Sequence, residues 1–138
     1  MVENYQIRFS THGKVDVIDL SSRLEEILHK SSIKNGQLYL FAIGSTGALT
    51  TIEYEPGLKK DIKEFFDELI PYGKNYHHHE TWHDDNGSSH LQSALLKPNL
   101  NVPIQDGKLI LGSYQQVVFV DFDTRSRART VHCQLMGE

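Results

Sequence analysis

Apolar and polar residues alternate with a period of two at the start of the chain. Tyr5-Gln6-Ile7-Arg8-Phe9 and Val15-Asp16-Val17-Ile18 each put their apolar side chains on one face of an extended strand. Thr11-His12-Gly13-Lys14 between them is turn-forming, so the pattern predicts an opening hairpin. The period then changes. Ser21 or Ser22 offers an N-cap oxygen, Glu25 and Glu26 follow near the first turn, and Leu24, Ile27 and Leu28 repeat at helical spacing, which predicts a helix to about Lys30.

"QLYLFAI" (37–43) is a nearly unbroken apolar run of strand length, the pattern of a strand buried on both faces. Gly44-Ser45-Thr46-Gly47 breaks it, and a further strand is expected from Ala48 to Tyr54. Pro56 then opens a helix in which Leu58, Ile62, Phe65, Phe66 and Leu69 share one apolar face, ending before Pro71. No period holds from Tyr72 to Ser89. That stretch reads as a long ordered loop, of the kind that in a small domain carries function. A short helix is expected over His90 to Leu96, and "KLILGSYQQVVFVDF" and "RTVHCQLM" read as closing strands joined by an Arg-containing turn. Together these elements predict an α+β fold, a single domain over 1–138 with a largely antiparallel sheet or sandwich and two main helices.

Composition narrows the function classes. The 138 residues are 38% hydrophobic and 23% charged, with formal net charge −4; this suits one soluble domain and no nucleic-acid partner. The densest positive cluster, Arg125, Arg127 and Arg129, is large enough for one phosphate group. The single cysteine, Cys133, excludes a disulfide framework and fits a reducing, cytoplasmic setting. Neither a signal peptide nor a membrane span is expected.

Five of the eight histidines (His77, His78, His79, His83 and His90) fall in the aperiodic stretch together with Glu80, Asp84 and Asp85. Imidazole and carboxylate are ordinary ligands of divalent metals, and a site needs three or four of them converging. The alternative is a solvated polar loop. His79-Glu80-Thr81-Trp82-His83 matches the H-E-x-x-H string of zinc proteases, but that chemistry needs both histidines on one anchored amphipathic helix. The flanks here are polar, with Trp82 the one large apolar residue between Tyr76 and Leu91, and Asp85-Asn86-Gly87 is turn-forming. A protease site is therefore not expected.

The spaced residues Tyr76, His78, Glu80-Thr81-Trp82-His83-Asp84, Asn86-Gly87 and Ser89-His90, then Val102-Pro103, Gly107, Leu109, Leu111-Gly112, Gln115 and the terminal Gly137-Glu138, resemble the YjbQ-like family of secondary thiamine-phosphate-synthase proteins. "GSTGALTTIEYEPGLKKDI" (44–62) resembles the same family's Ser/Thr-rich strand and acidic turn. The resemblance spans essentially the whole chain. It implies a homotrimer with a cleft shared between subunits, and a weak thiamine-phosphate synthase activity. His78, Asp84, Asn86 and His90 fall on the family positions, whereas His79 does not, and some relatives carry histidine where this chain has Gly44.

From these positions His78, Asp84 and His90, with His83 as a further ligand, are candidates to hold a divalent metal (zinc, manganese or magnesium). The same His78, Asp84 and His90, with Glu53, are candidates for acid/base work. The bland readings are a His83 ring packed beside Trp82 and an exposed Glu53 near a helix start. Ser45, Thr46, Asn86, Gln115, Arg127 and Arg129 are candidates to bind substrate: hydroxyls and turn N–H groups for phosphate, an amide for a pyrimidine edge, guanidinium groups for diphosphate. Each has an ordinary alternative: a strand-ending turn, a satisfied amide, a solvated or subunit-pairing arginine. The expected partner is a small phosphorylated metabolite. The expected function is a metal-dependent enzyme, with metal-assisted hydrolysis or a non-catalytic metal- or metabolite-binding role as alternatives.

Overall fold

The computed structural model describes residues 1–138 as strands β1 (Val2–Thr11), β2 (Asp16–Asp19), β3 (Gly36–Ile43), β4 (Gly47–Ile52), β5 (Asn99–Gln105), β6 (Lys108–Leu109), β7 (Gln116–Asp121) and β8 (Arg127–Gly137), with helices α1 (Ser21–Lys30), α2 (Pro56–Leu69), α3 (His77–Trp82) and α4 (Gly87–Leu96). The strands form two antiparallel sheets, in the orders β1-β8-β3-β5-β6 and β2-β7-β4. This is the expected α+β class.

Two apolar layers hold the sheets. Leu38, Leu40, Val131, Leu135, Val117 and Phe119 fill the space between them together with Leu24, Ile27 and Leu28 of α1. Behind the smaller sheet, Val118, Val120 and Phe122 meet Phe66 of α2. Strand β7 faces both layers, and Val117 to Asp121 are all buried. Burial of one such aliphatic side chain contributes about 1.5–3 kcal/mol, so the seam through β7 carries much of the fold's stability.

Several expectations are corrected. The first two strands are not a hairpin: β1 pairs with β8 and β2 with β7. The turn between them passes through positive φ at Gly13, Lys14 and Val15 and carries the chain from one sheet to the other. "QLYLFAI" is buried on one face only: Leu38, Leu40 and Ala42 point inward, while Phe41 and Ile43 are exposed. On α2 Phe66 alone is buried, and Phe65 and Leu69 stand open to solvent. Neither Ser21 nor Ser22 caps α1; the Asp19 carboxylate accepts from the Ser21 N–H and hydroxyl instead. The Tyr72–Ser89 loop contains α3 and the first turn of α4, and Asn99–Gln105 is an unanticipated strand.

Candidate functional site

One end of the smaller sheet gathers the chemistry. The register pairs Gly47 of β4 with Asp121 of β7. This sets the β3–β4 turn (Ser45, Thr46) beside the residues leaving β7 (Asp121, Asp123). Arg127 and Arg129 arrive from the start of β8, and the face of α4 bearing His90 covers them.

Helix α3 is short, and none of its residues is buried, so it has little stability of its own. It is held against α4 by Tyr76, whose hydroxyl donates to the Pro71 carbonyl at 2.5 Å. The Tyr76 side chain packs on Gly87, where a Cβ would lie 2.6 Å from the Tyr76 Cβ. Glycine at the first position of α4 thus permits the close approach that brings His78 to His90. Their ring centroids are 4.4 Å apart, tilted by 54°.

His78 Nε2 lies 3.2 Å from Asp84 Oδ1 and 3.1 Å from the Asn86 amide. The orientation of the amide follows from whether that nitrogen carries a proton, and the one that satisfies both amide atoms turns its nitrogen toward His78 and Asp84. With a proton on Nε2, His78 donates to Asp84 and to the Asn86 oxygen, and Asn86 makes a 3.4 Å bond to Asp123. Without it, the amide turns, donating to Nε2 at 3.1 Å and to Asp84 Oδ1 at 2.8 Å.

His90 is held below the ordinary histidine pKa, first by burial and then by its neighbour His78; Asp123, Asp84 and the Ser45 carbonyl oppose this only in part. Its imidazole is therefore neutral near pH 7 and available to accept a proton. Beneath it lies a buried polar network. Arg129 grips Asp121 in bidentate fashion at 2.7 and 2.8 Å and donates to the Thr46 hydroxyl at 2.7 Å. Thr11 donates to Asp121 at 2.5 Å. Thr46 and Arg127 donate to Asp123 at 2.9 and 2.8 Å. Burial alone would raise the Asp123 carboxyl, but hydrogen bonds from the Thr124 N–H, Arg127, Thr46 and Asn86 hold it below the usual range.

Arg129 is thus neither solvated nor free to grip a diphosphate whole, whereas Arg127 is held through Nε alone and its side chain remains a third exposed. Nη1 of Arg129 makes no hydrogen bond within the chain, and it lies under Gly44, where a Cβ would come within 3.1 Å. Ser45 is exposed and Thr46 buried.

Asn86, Ser89, His90 and Ser93 share one face of α4. Ser93 donates to the Gly47 carbonyl at 2.6 Å, and His90 and Asn86 have the neighbours described above. Ser89 Oγ, on the same face and fully buried, has no hydrogen-bond partner. A buried orphan hydroxyl costs about 1–3 kcal/mol, which a bound polar group can offset.

Not every expected residue joins this cluster. Ile52 pairs with Gln116, so Glu53 and Gln115 stand at the opposite end of the sheet, about 17 Å of strand away. Glu53 is exposed. Gln115 accepts from the Gly112 N–H and donates to Thr51, each at 3.0 Å. His83 is the left-handed cap of α3 (φ 58°) and packs on His79 rather than Trp82, with ring centroids 5.5 Å apart. The H-E-x-x-H segment is helical as far as Trp82, which the reading of it as loop had missed, yet it lacks the apolar back that a zinc protease requires. As for a metal, His78, Asp84 and His90 are of the right chemical type, but no three His, Cys, Asp or Glu side chains converge on one point. As placed, the residues do not fit an ion. Asp121, Asp123 and Ser89 had not been singled out. The signal for the first two was an Asp-x-Asp closing a buried strand, followed by Arg-x-Arg.

A family model described as UPF0047 protein YjbQ-like matches residues 5–138. A UPF0047 protein of Archaeoglobus fulgidus is 33% identical over 126 residues, covering 91% of this chain and 96% of that protein. The UPF0047 protein YugU of Bacillus subtilis is 29% identical, with 99% and 100% covered. Among solved structures, a YbjQ-like protein of unknown function from Sulfolobus solfataricus is similar with a TM-score of 0.93 at 30% identity, covering 100% of this chain and 99% of that one. On the match to the family model and these likenesses, the chain belongs to the UPF0047, YjbQ-like family.

Proposed function

We propose that this chain is an enzyme acting on a small phosphorylated metabolite at the His78–His90 cluster. The observation that carries the reading is His90, a half-buried imidazole kept neutral by burial and by His78 beside an orphaned buried hydroxyl. A general base works best when its pKa lies near the working pH and a third group orients it. His90 hydrogen-bonds the substrate and accepts a proton where the reaction releases one, as in hydrolysis by water; His78 orients its ring, and Asp84 and Asn86 set the tautomer of His78. Ser45 and the Nη1 edge of Arg129 receive the phosphate.

The specific reaction we propose, from the family resemblance, is a weak thiamine-phosphate synthesis. The thiazole nitrogen attacks the pyrimidine methylene carbon, a C–N bond forms as the C–O bond breaks, and diphosphate leaves with the electron pair. That step needs no covalent nucleophile; it needs both partners held in line and the leaving charge stabilised. The proposed assembly is a homotrimer, supported by the uncovered Phe41 and Ile43 on the outer face of β3. No helix is long and apolar enough to cross a membrane, and we propose a cytoplasmic setting on the basis of the one buried free cysteine. A divalent metal on His78, Asp84 and His90 would require these side chains to move together from where they stand, and is a separate proposal resting on their ligand chemistry alone. Dialysis of tag-free protein against zinc, manganese and magnesium tests it by stoichiometric retention.

To test the enzyme, purified protein is mixed with the pyrimidine diphosphate and thiazole phosphate, and separately with a panel of phosphate esters. Turnover should fall by about a hundredfold or more in His90→Ala and His78→Ala. Hydrolysis of a single ester without the second substrate would replace synthase with hydrolase. Turnover indifferent to both substitutions overturns the site.

A further inference from the structure

A second cavity opens on the other side of Asp123 from the histidines. It encloses about 490 Å³, within the range that holds a small organic ligand, and is walled by Lys14, Lys60, Lys63, Gln92, Phe122 and Tyr72, with Val15, Glu64, Asp67 and Asp123 completing it.

Three ammonium groups and three carboxylates face this space. None of the three lysine ammonium groups takes part in an ion pair or donates a hydrogen bond within the chain, whereas two of the carboxylates already accept hydrogen bonds. Asp67 accepts from the Tyr72 N–H at 3.0 Å, and Asp123 is satisfied by Arg127, Thr46 and the Thr124 N–H. Arg127 already answers the charge of Asp123, which leaves Glu64 and Asp67 to face three ammonium groups, one positive charge in excess. Gln92 is buried, and its amide is fixed by donation to the Phe66 and Ile70 carbonyls, both at 3.1 Å. Its Oε1 accepts no hydrogen bond from the chain. Phe122 and Tyr72 add aromatic surface. At the rim, Val15 holds φ of 64°, a left-handed conformation that a β-branched residue adopts only under constraint. The Lys14 N–H, donating to the Asp123 carbonyl at 2.6 Å, pins it there. Strained residues of this kind cluster at ligand clamps.

We propose that this cavity is a second binding site, separate from the histidine cluster, for a small aromatic anion: a phosphate or carboxylate on a planar ring. Lys14, Lys60 and Lys63 hold the charge, Phe122 and Tyr72 contact the ring, and Gln92 Oε1 accepts from a ring substituent. Asp123 forms a shared wall, so a ligand here stands one side chain away from the bond between Asn86 and Asp123.

The test is titration calorimetry with phenyl phosphate, benzoate, inorganic phosphate and benzyl alcohol. Wild-type protein, Lys60→Gln/Lys63→Gln and His90→Gln are compared. Both lysines lie on the exposed side of α2, and circular dichroism verifies the fold of each variant. Saturable binding of phenyl phosphate or benzoate, weakened roughly tenfold or more by the double lysine change and untouched by His90→Gln, is the expected result; which of the two binds tells phosphate from carboxylate. Binding lost in His90→Gln places the ligand at the histidines and overturns the proposal. So does equal binding of benzyl alcohol or of inorganic phosphate, since either removes the need for charge and ring together. No saturable binding of any probe at millimolar concentration overturns it outright.

Discussion

Arg129 and Asp121 form a two-toothed ion pair inside the protein, with bonds of 2.7 and 2.8 Å and both side chains buried. Breaking such a pair leaves one charge stranded, so Arg129→Met or Asp121→Leu alone should cost about 3–5 kcal/mol of unfolding free energy. The double variant should recover much of that loss, because neither charge then remains. Urea unfolding of the four proteins measures the coupling; simple additivity would show that the pair is not a unit.

His90 titrates below its unfolded value of 6.5. Between its folded pKa and that value the unfolded chain binds more protons than the folded one, so stability should fall as pH drops through the window and recover above it. NMR titration should find His90 shifted down, and His78→Ala should move it back up by removing the neighbouring imidazole. In His90→Gln this part of the acid sensitivity should vanish.

Ser89 Oγ is buried without a partner. Replacing it by alanine in the ligand-free protein should leave stability unchanged or raise it by up to about 2 kcal/mol, since no hydrogen bond is lost and a desolvation cost is relieved. The same change should weaken binding of a phosphorylated substrate. Thermal unfolding with and without that substrate separates the two effects.

Gly87→Ala would drive a methyl into Tyr76. The expected cost is about 1–3 kcal/mol, with α3 displaced and turnover reduced more than stability alone explains. A crystal structure of the variant should show His78 and His90 farther apart than 4.4 Å.

Burial pushes the Cys133 thiol up to about 12. At neutral pH it should therefore resist alkylation in the folded state and react only as the chain opens. Modification by a maleimide at the rate expected of an exposed thiol would contradict its placement in the core.

The sequence was legible where one physical signal dominated. Leu24, Ile27 and Leu28 announced α1 because a single buried stripe leaves a clean helical period. Pro56 and Pro71 marked α2 by removing backbone donors. "VVFVDF" and "QLYLFAI" look alike in composition, yet only the first is buried on both faces, because burial depends on which sheet covers a strand rather than on the strand itself. Helix α3 was invisible since its residues are polar and its hold on α4 is a few contacts, Tyr76 on Gly87 and His78 on His90, rather than a buried apolar stripe. His78, Asp84, Asn86 and His90 were legible as a group because chain proximity alone gathers them. Asp123, the group nearest to linking them with the sheet, was not, because it lies 37 residues along the chain from Asn86. Glu53 and Gln115 looked like partners of the histidines until the register put them at the far end of the sheet.

Strand β8 lies inside the larger sheet, between β1 and β3, although it is the last strand in the chain. During synthesis β1 and β3 therefore emerge from the ribosome without the strand that joins them; β3 can pair with β5 beforehand, but β1, whose one partner is β8, must wait for almost the whole polypeptide. Closure of the larger sheet is a late event with a long-range entropic cost. Until β8 is released, Phe41 and Ile43 on β3 sit beside an open strand edge, and a nascent chain in that state is a natural client for a holding chaperone.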